Sequence, residues 1–199
     1  VLTSLLIQTA GMGSGTLAFA RKKQIDFHLV LFLLIVTVPG IAFGAYLSNL
    51  LNPGKMEFVL GVLAMATAVL FVSARHNYGD PGQDRTQLKT ARKYAAITSS
   101  LAVVSGLLSV SIGEWLVPLM RSKLSLRMRV AVATSIATIF GNCVIGVLFH
   151  FLLGARADLT VLFWAVPGVL IGGQLGPRIA IHVNDRFLKE FFIFFLTLI

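Results

Sequence analysis

Seven long stretches of this chain carry almost no charge: Val1 to Ala20, Phe27 to Gly54, Phe58 to Ala74, Tyr94 to Met120 apart from Glu114, Val130 to Ala155, Leu159 to Pro177, and Phe191 onward. Backbone in hydrocarbon must satisfy its own hydrogen bonds, so apolar runs of this length demand membrane-spanning helices. A transmembrane barrel would instead alternate polar and apolar residues in segments of about ten, and is excluded. Of 199 residues, 56% are hydrophobic and 13% charged, with a mean hydropathy of +0.85, a balance foreign to soluble domains. Wound into helix, a chain of this length extends about 300 Å, enough after loops for roughly six to eight crossings of the bilayer core. The expectation is an all-α polytopic protein of the cell membrane.

The net charge is +9, but the Lys and Arg residues sit in short loops between apolar runs, as cytoplasmic loops require. No basic stripe is interleaved with exposed aromatics, so nucleic acid is not an expected partner. Cys143 is the only cysteine, which rules out a disulfide or a zinc finger within the chain. No cofactor motif is present. The chain opens and closes inside apolar segments, so further elements are expected before Val1 and after Ile199.

Residues 75–93 are hydrophilic and rich in turn formers, among them Asn77, Gly79, Pro81 and Gly82, and separate two halves, 1–74 and 94–199. The halves resemble each other. Thr3 and Ser4 align with Thr134 and Ser135, Gly15 with Gly146, and Asp26 with Asp158. After a slip of four residues, Val38, Pro39, Gly40 and Gly44 align with Val166, Pro167, Gly168 and Gly172. Internal repeats of this kind are the mark of many secondary transporters. The segment Tyr94 to Met120 has no counterpart in the first half, so its partner is expected before Val1.

If that segment enters and leaves on one face, fifteen Lys and Arg fall on one side of the membrane and only Lys55 and Arg156 on the other; if every segment spans, no bias remains. The asymmetric count is the one the positive-inside rule prefers. Gly106, Ser109, Ser111 and Gly113 near its centre permit two half-helices to meet at a non-helical turn. The two halves are then inverted repeats, joined by a cytoplasmic linker.

A half-helix starting near Gly113 would aim unpaired N–H groups and a positive dipole end at membrane depth, a place for a small anion. The spacing of Ser111 and Glu114 fits equally a capping box that closes those donors internally. Glu114 is the sole acid well inside an apolar run, which makes it a candidate for proton coupling or gating. His150 lies two helical turns after Asn142 on the same face and is a gating candidate or a packing residue. The hydroxyls of Thr3, Ser4, Thr134 and Ser135 could bind an oxyanion from both halves, or bond carbonyls within the helix bundle. Gln174 could reach the same path or bridge two helices. The glycines from Gly11 to Gly176 would let helices approach closely.

The run Ser109, Ser111, Gly113, Glu114 and Pro118 resembles the glycine-rich signature G-x-G-G-G, followed five residues on by Pro, of the TauE/SafE family of sulfite and organosulfonate exporters. Ser109, Ser111 and Ile112 stand where that family usually has Gly, and Glu114 where it has an apolar residue. The paired T-S and P-G-x-x-x-G motifs extend the resemblance over most of the chain. It implies a secondary transporter for a small sulfur oxyanion or organosulfonate, with Ser109, Ser111, Gly113, Glu114, Thr134, Ser135, Thr3, Ser4, Asn142 and Gln174 as candidates for holding it. A gated anion channel on the same scaffold is the alternative. A membrane-embedded enzyme is the weakest reading, since neither a metal-binding H-E-x-x-H nor a Walker loop is present. A homodimer is left open.

Overall fold

The computed structural model describes residues 2–48, 82–86, 88–108 and 113–180, with isolated positions between 54 and 62. The expected segments Phe58 to Ala74 and Phe191 onward therefore lie outside the described residues, as do Ser109 and Ser111 and the side chain of Glu114. Among the described residues, seven helices are defined: α1 (Leu2–Arg21), α2 (Phe27–Ser48), α3 (Leu88–Arg92), α4 (Ala95–Leu108), α5 (Gly113–Lys123), α6 (Met128–Leu152) and α7 (Leu159–Ala180). Among the described residues, the one departure from helix pairing is an isolated bridge between Gln83 and Leu126. Three helical stretches among the described residues, Phe27–Leu47, Met128–Leu152 and Leu159–Ile179, are long and apolar enough to cross a membrane. The segment Tyr94 to Met120 is divided between α4 and α5, which at 14 and 11 residues reach about 21 and 16 Å and fall short of a bilayer core.

Both long hairpins are built alike. α1 ends on Lys23, whose φ is 54°, while the Gln24 N–H reaches back to the Phe19 carbonyl at 3.3 Å. α6 ends on Gly154 with φ 80°, and the Ala155 N–H reaches the His150 carbonyl at 3.0 Å. Each is a left-handed cap closed by a six-to-one bond. The next helix then opens on an aspartate: Asp26 Oδ1 accepts the Leu29 N–H at 3.3 Å, and Asp158 Oδ1 accepts the Thr160 and Val161 N–H groups at 2.9 and 3.2 Å. These bonds satisfy donors that a helix start leaves unpaired.

The hairpins interlock. Thr134 Oγ1, near the start of α6, accepts the Asp26 N–H at 3.1 Å, and Thr3 Oγ1, at the start of α1, accepts the Asp158 N–H at 2.9 Å. The start of each of these helices thus lies beside the far end of the other, so α1 and α6 run antiparallel. α1 also packs on α7, and α2 on α6. Gln174 Nε2 donates to the Ser14 carbonyl at 2.9 Å, and Lys22 Nζ to the Pro177 carbonyl at 3.3 Å, so α1 and α7 are parallel.

α4 lies along α2 at very close range. A Cβ on Gly40 would come within 2.6 Å of the Ser99 carbonyl, one on Gly106 within 2.5 Å of the Ile41 carbonyl, and one on Gly44 would overlap the backbone of Val103 and Leu107. Glycine is what permits this contact. Gly168 and Gly172 on α7, by contrast, face open space; there the expected helix–helix approach is not made.

The two ends of the α3–α5 stretch come together at the Asp26 end of the bundle. Asp26 Oδ2 accepts the Thr86 N–H at 3.2 Å, Thr86 Oγ1 donates to the Leu124 carbonyl at 3.0 Å, and the Gln83 carbonyl accepts the Arg127 N–H at 2.9 Å. Ala91, Met120, Leu124 and Leu126 share a buried cluster there with Leu29 and Leu33 of α2.

Candidate functional site

Apolar spans leave few polar side chains inside the bundle, so each buried one needs a partner. Thr37 on α2 and Asn142 on α6 supply one such pair: the hydroxyl donates to Asn142 Oδ1 at 2.7 Å. The same hydroxyl also lies 3.2 Å from the Leu34 carbonyl of its own helix. Asn142 is 5% exposed, and its Nδ2 has no hydrogen-bond partner.

Two turns further along α6, His150 is 3% exposed. Its ring lies beside the Gly106 backbone of α4 in the same pocket, and Nε2 has no hydrogen-bond partner. Asn142 and His150 line one pocket between α1, α2, α4 and α6, together with Gln8, Ile41, Ser105, Gly106 and Cys143. The Cys143 thiol donates to Gln8 Oε1 at 3.5 Å. The pocket therefore gathers two unengaged nitrogens in otherwise apolar surroundings, around about 10 Å³ of free space, room for roughly one water molecule.

Of the residues the sequence singled out, Asn142 and His150 are brought together. Thr3 and Thr134 hold the aspartate N–H groups across the two hairpins. The Ser135 hydroxyl donates to the Val132 carbonyl at 3.1 Å, one of the two roles foreseen for it, and Ser4 is exposed. Gln174 bridges α7 to Ser14 of α1. α5 starts at Gly113, where the half-helix was expected.

Sequence reasoning passed over Gln8, Thr37, Ser105 and Cys143. Gln8 and Thr37 are polar residues within apolar runs, and that was the signal available. Ser105 and Cys143 carry none, because only the approach of α4 to α6 makes them neighbours of the pocket.

The pattern of the Sulfite exporter TauE/SafE family matches this chain over residues 1–199. The chain belongs to the TauE/SafE family. It is also 31% identical over 191 residues to the probable membrane transporter protein YunE of Bacillus subtilis (strain 168), covering 89% of this chain and 70% of that protein. No solved structure matches it. Membership makes this a membrane-embedded member of a transporter family, and the run from Ser109 to Pro118, although altered from the family's glycine-rich signature, pointed to the right family.

Proposed function

We propose that the chain is a secondary transporter that moves a small sulfur oxyanion or organosulfonate across the cell membrane by alternating access between two inverted halves. The observation that carries this reading is the exchange of hydrogen bonds between hairpins: Thr3 holds Asp158 and Thr134 holds Asp26. Each repeat's threonine serves the other repeat's helix start, and the antiparallel course of α1 and α6 is what inversion requires. The left-handed caps at Lys23 and Gly154 are separated by 131 residues, the same spacing as Thr3 and Thr134. A pocket enclosed by helices from both halves is where inverted-repeat transporters hold their cargo.

The joined ends of the α3–α5 stretch support a hairpin that enters and leaves on one face. Arg21, Lys22 and Lys23, the basic residues around α3, and those from Arg121 to Arg129 then share one end of the bundle, which the positive-inside rule makes cytoplasmic, with Arg156 at the other. Gly168 and Gly172, the counterparts of Gly40 and Gly44, lie open on α7, a face suited to a second hairpin like α4–α5.

Purified protein in liposomes should move sulfite or a simple sulfonate with saturable kinetics. Flux that rises linearly without saturating would indicate a channel, and failure to move or bind either anion would overturn the assignment.

A further inference from the structure

Among the described residues, four buried side-chain atoms have no hydrogen-bond partner: Thr16 Oγ1, Gln24 Oε1, Asn142 Nδ2 and His150 Nε2. Two of the four line the same pocket between α1, α2, α4 and α6. Asn142 and His150 are 5% and 3% exposed, so bulk water does not reach them, and a buried polar group left unpaired is costly enough to be rare in native structures. The free space beside them, about 10 Å³, is what a single water molecule needs. A sulfur oxyanion is several times larger and does not fit.

The chemistry of the lining selects water as well. The Thr37 hydroxyl lies within reach of both the Asn142 amide and the Leu34 carbonyl, so either end of the amide can be the one turned to the pocket, and a neutral imidazole carries its proton on either nitrogen. Water both donates and accepts, and so serves each group in whichever form it takes; an anion would serve only donors and a cation only acceptors. Gln8 on α1 and Ser105 on α4 add two more polar side chains to the lining, within the two to four partners that a buried water uses.

We propose that this pocket is a binding site for one resident water molecule, which draws its hydrogen bonds from among Asn142, His150, Gln8 and Ser105. The water then helps to join α6 to α1 and α4. On the transport reading above, the described conformation is closed to cargo at this pocket, with water where the anion would go.

The test uses the full chain in lipid nanodiscs. Brief X-ray irradiation turns water into hydroxyl radicals; those formed in bulk do not reach buried side chains, whereas those formed from a bound water oxidise the groups beside it. Cys143 is buried and lines the same pocket, so it should gain oxygen, read as a mass increase of its peptide. Gly146 lines the pocket too, and a Cβ there would stand 3.4 Å from Leu5 and 4.0 Å from Ile41, in ordinary contact. Gly146→Ala therefore puts a methyl group into the water's space. It should cut Cys143 oxidation several-fold and lower the melting temperature, because Asn142 and His150 lose their partner. In a dry pocket the same methyl would raise the melting temperature through helix propensity and added contacts. Unmodified Cys143 in the wild type would overturn the proposal, as would oxidation that is unchanged in Gly146→Ala. Should Gly146→Ala misfold, the wild-type oxidation decides alone. Neither readout involves transport, so failure of the transport reading would leave both as they are.

Discussion

Thr134 accepts the backbone N–H of Asp26 at 3.1 Å across 108 residues of sequence, inside the bundle. Its counterpart, Thr3 to Asp158, spans 155 residues and is exposed. The burial difference predicts an unequal cost. Thr134→Val keeps the shape and strands a buried donor, which should destabilise by about 1–3 kcal/mol. Thr3→Val leaves a donor that water can satisfy, and the loss should be smaller. Thermal unfolding of both variants in detergent checks the order; equal losses would mean that burial does not govern these bonds.

Gly44 and Gly168 provide a second contrast. Alanine at Gly44 meets the backbone of Val103 and Leu107, so Gly44→Ala should destabilise by about 1–3 kcal/mol as α4 is pushed from α2. Alanine at Gly168 meets nothing within 4 Å, and Gly168→Ala should be neutral or gain up to about 1 kcal/mol from helix propensity. Melting temperatures in the same detergent would rank the two.

Lys23 adopts φ 54° without being glycine. Lys23→Gly should therefore stabilise the α1–α2 turn by about 1 kcal/mol, the strain of the left-handed backbone being removed. A drop in melting temperature would mean that the Lys23 side chain contributes more than its backbone costs.

The bonds joining Asp26, Thr86 and Leu124 put both ends of the α3–α5 stretch at one end of the bundle. Single cysteines at positions 85 and 123, in a Cys143→Ala background, should react with an impermeant reagent from the same side as position 22, and from the side opposite position 156. Labelling of 85 and 123 from opposite sides would remove the hairpin and with it the inversion of the halves.

Glu114 is the acid that the sequence marks for proton coupling. If its role is the capping box with Ser111, Glu114→Gln keeps the N3 hydrogen bond at a cost of about 1 kcal/mol or less. The pH-gradient response of transport should then persist in Glu114→Gln. Loss of the response in Glu114→Gln would make the acid the proton site.

Much of the fold was legible in the sequence because hydrocarbon leaves a backbone few choices. Apolar runs bounded by charges placed the starts of α1, α2, α6 and α7 within two residues, and the pairing of Asp26 with Asp158 marked two equivalent helix starts that the hydrogen bonds bear out. The glycines and serines between Tyr94 and Met120 foretold that the segment does not span as one helix. All of these are local or periodic signals, carried by residues close together in the chain.

The pocket was only half legible for the opposite reason. Asn142 and His150 share a helix face, which spacing alone determines. That one is tied to Thr37 and the other set beside Gly106 depends on α2 and α4 meeting α6, contacts between residues 44 to 105 positions apart. The same holds for Thr134, whose hydroxyl suited an anion, a neighbouring helix or its own, until the tertiary structure set it against the Asp26 N–H. A hydroxyl or an amide has several partners of similar strength, and sequence fixes only which groups are available; packing decides which of them meet and which nitrogens are left to bind something else.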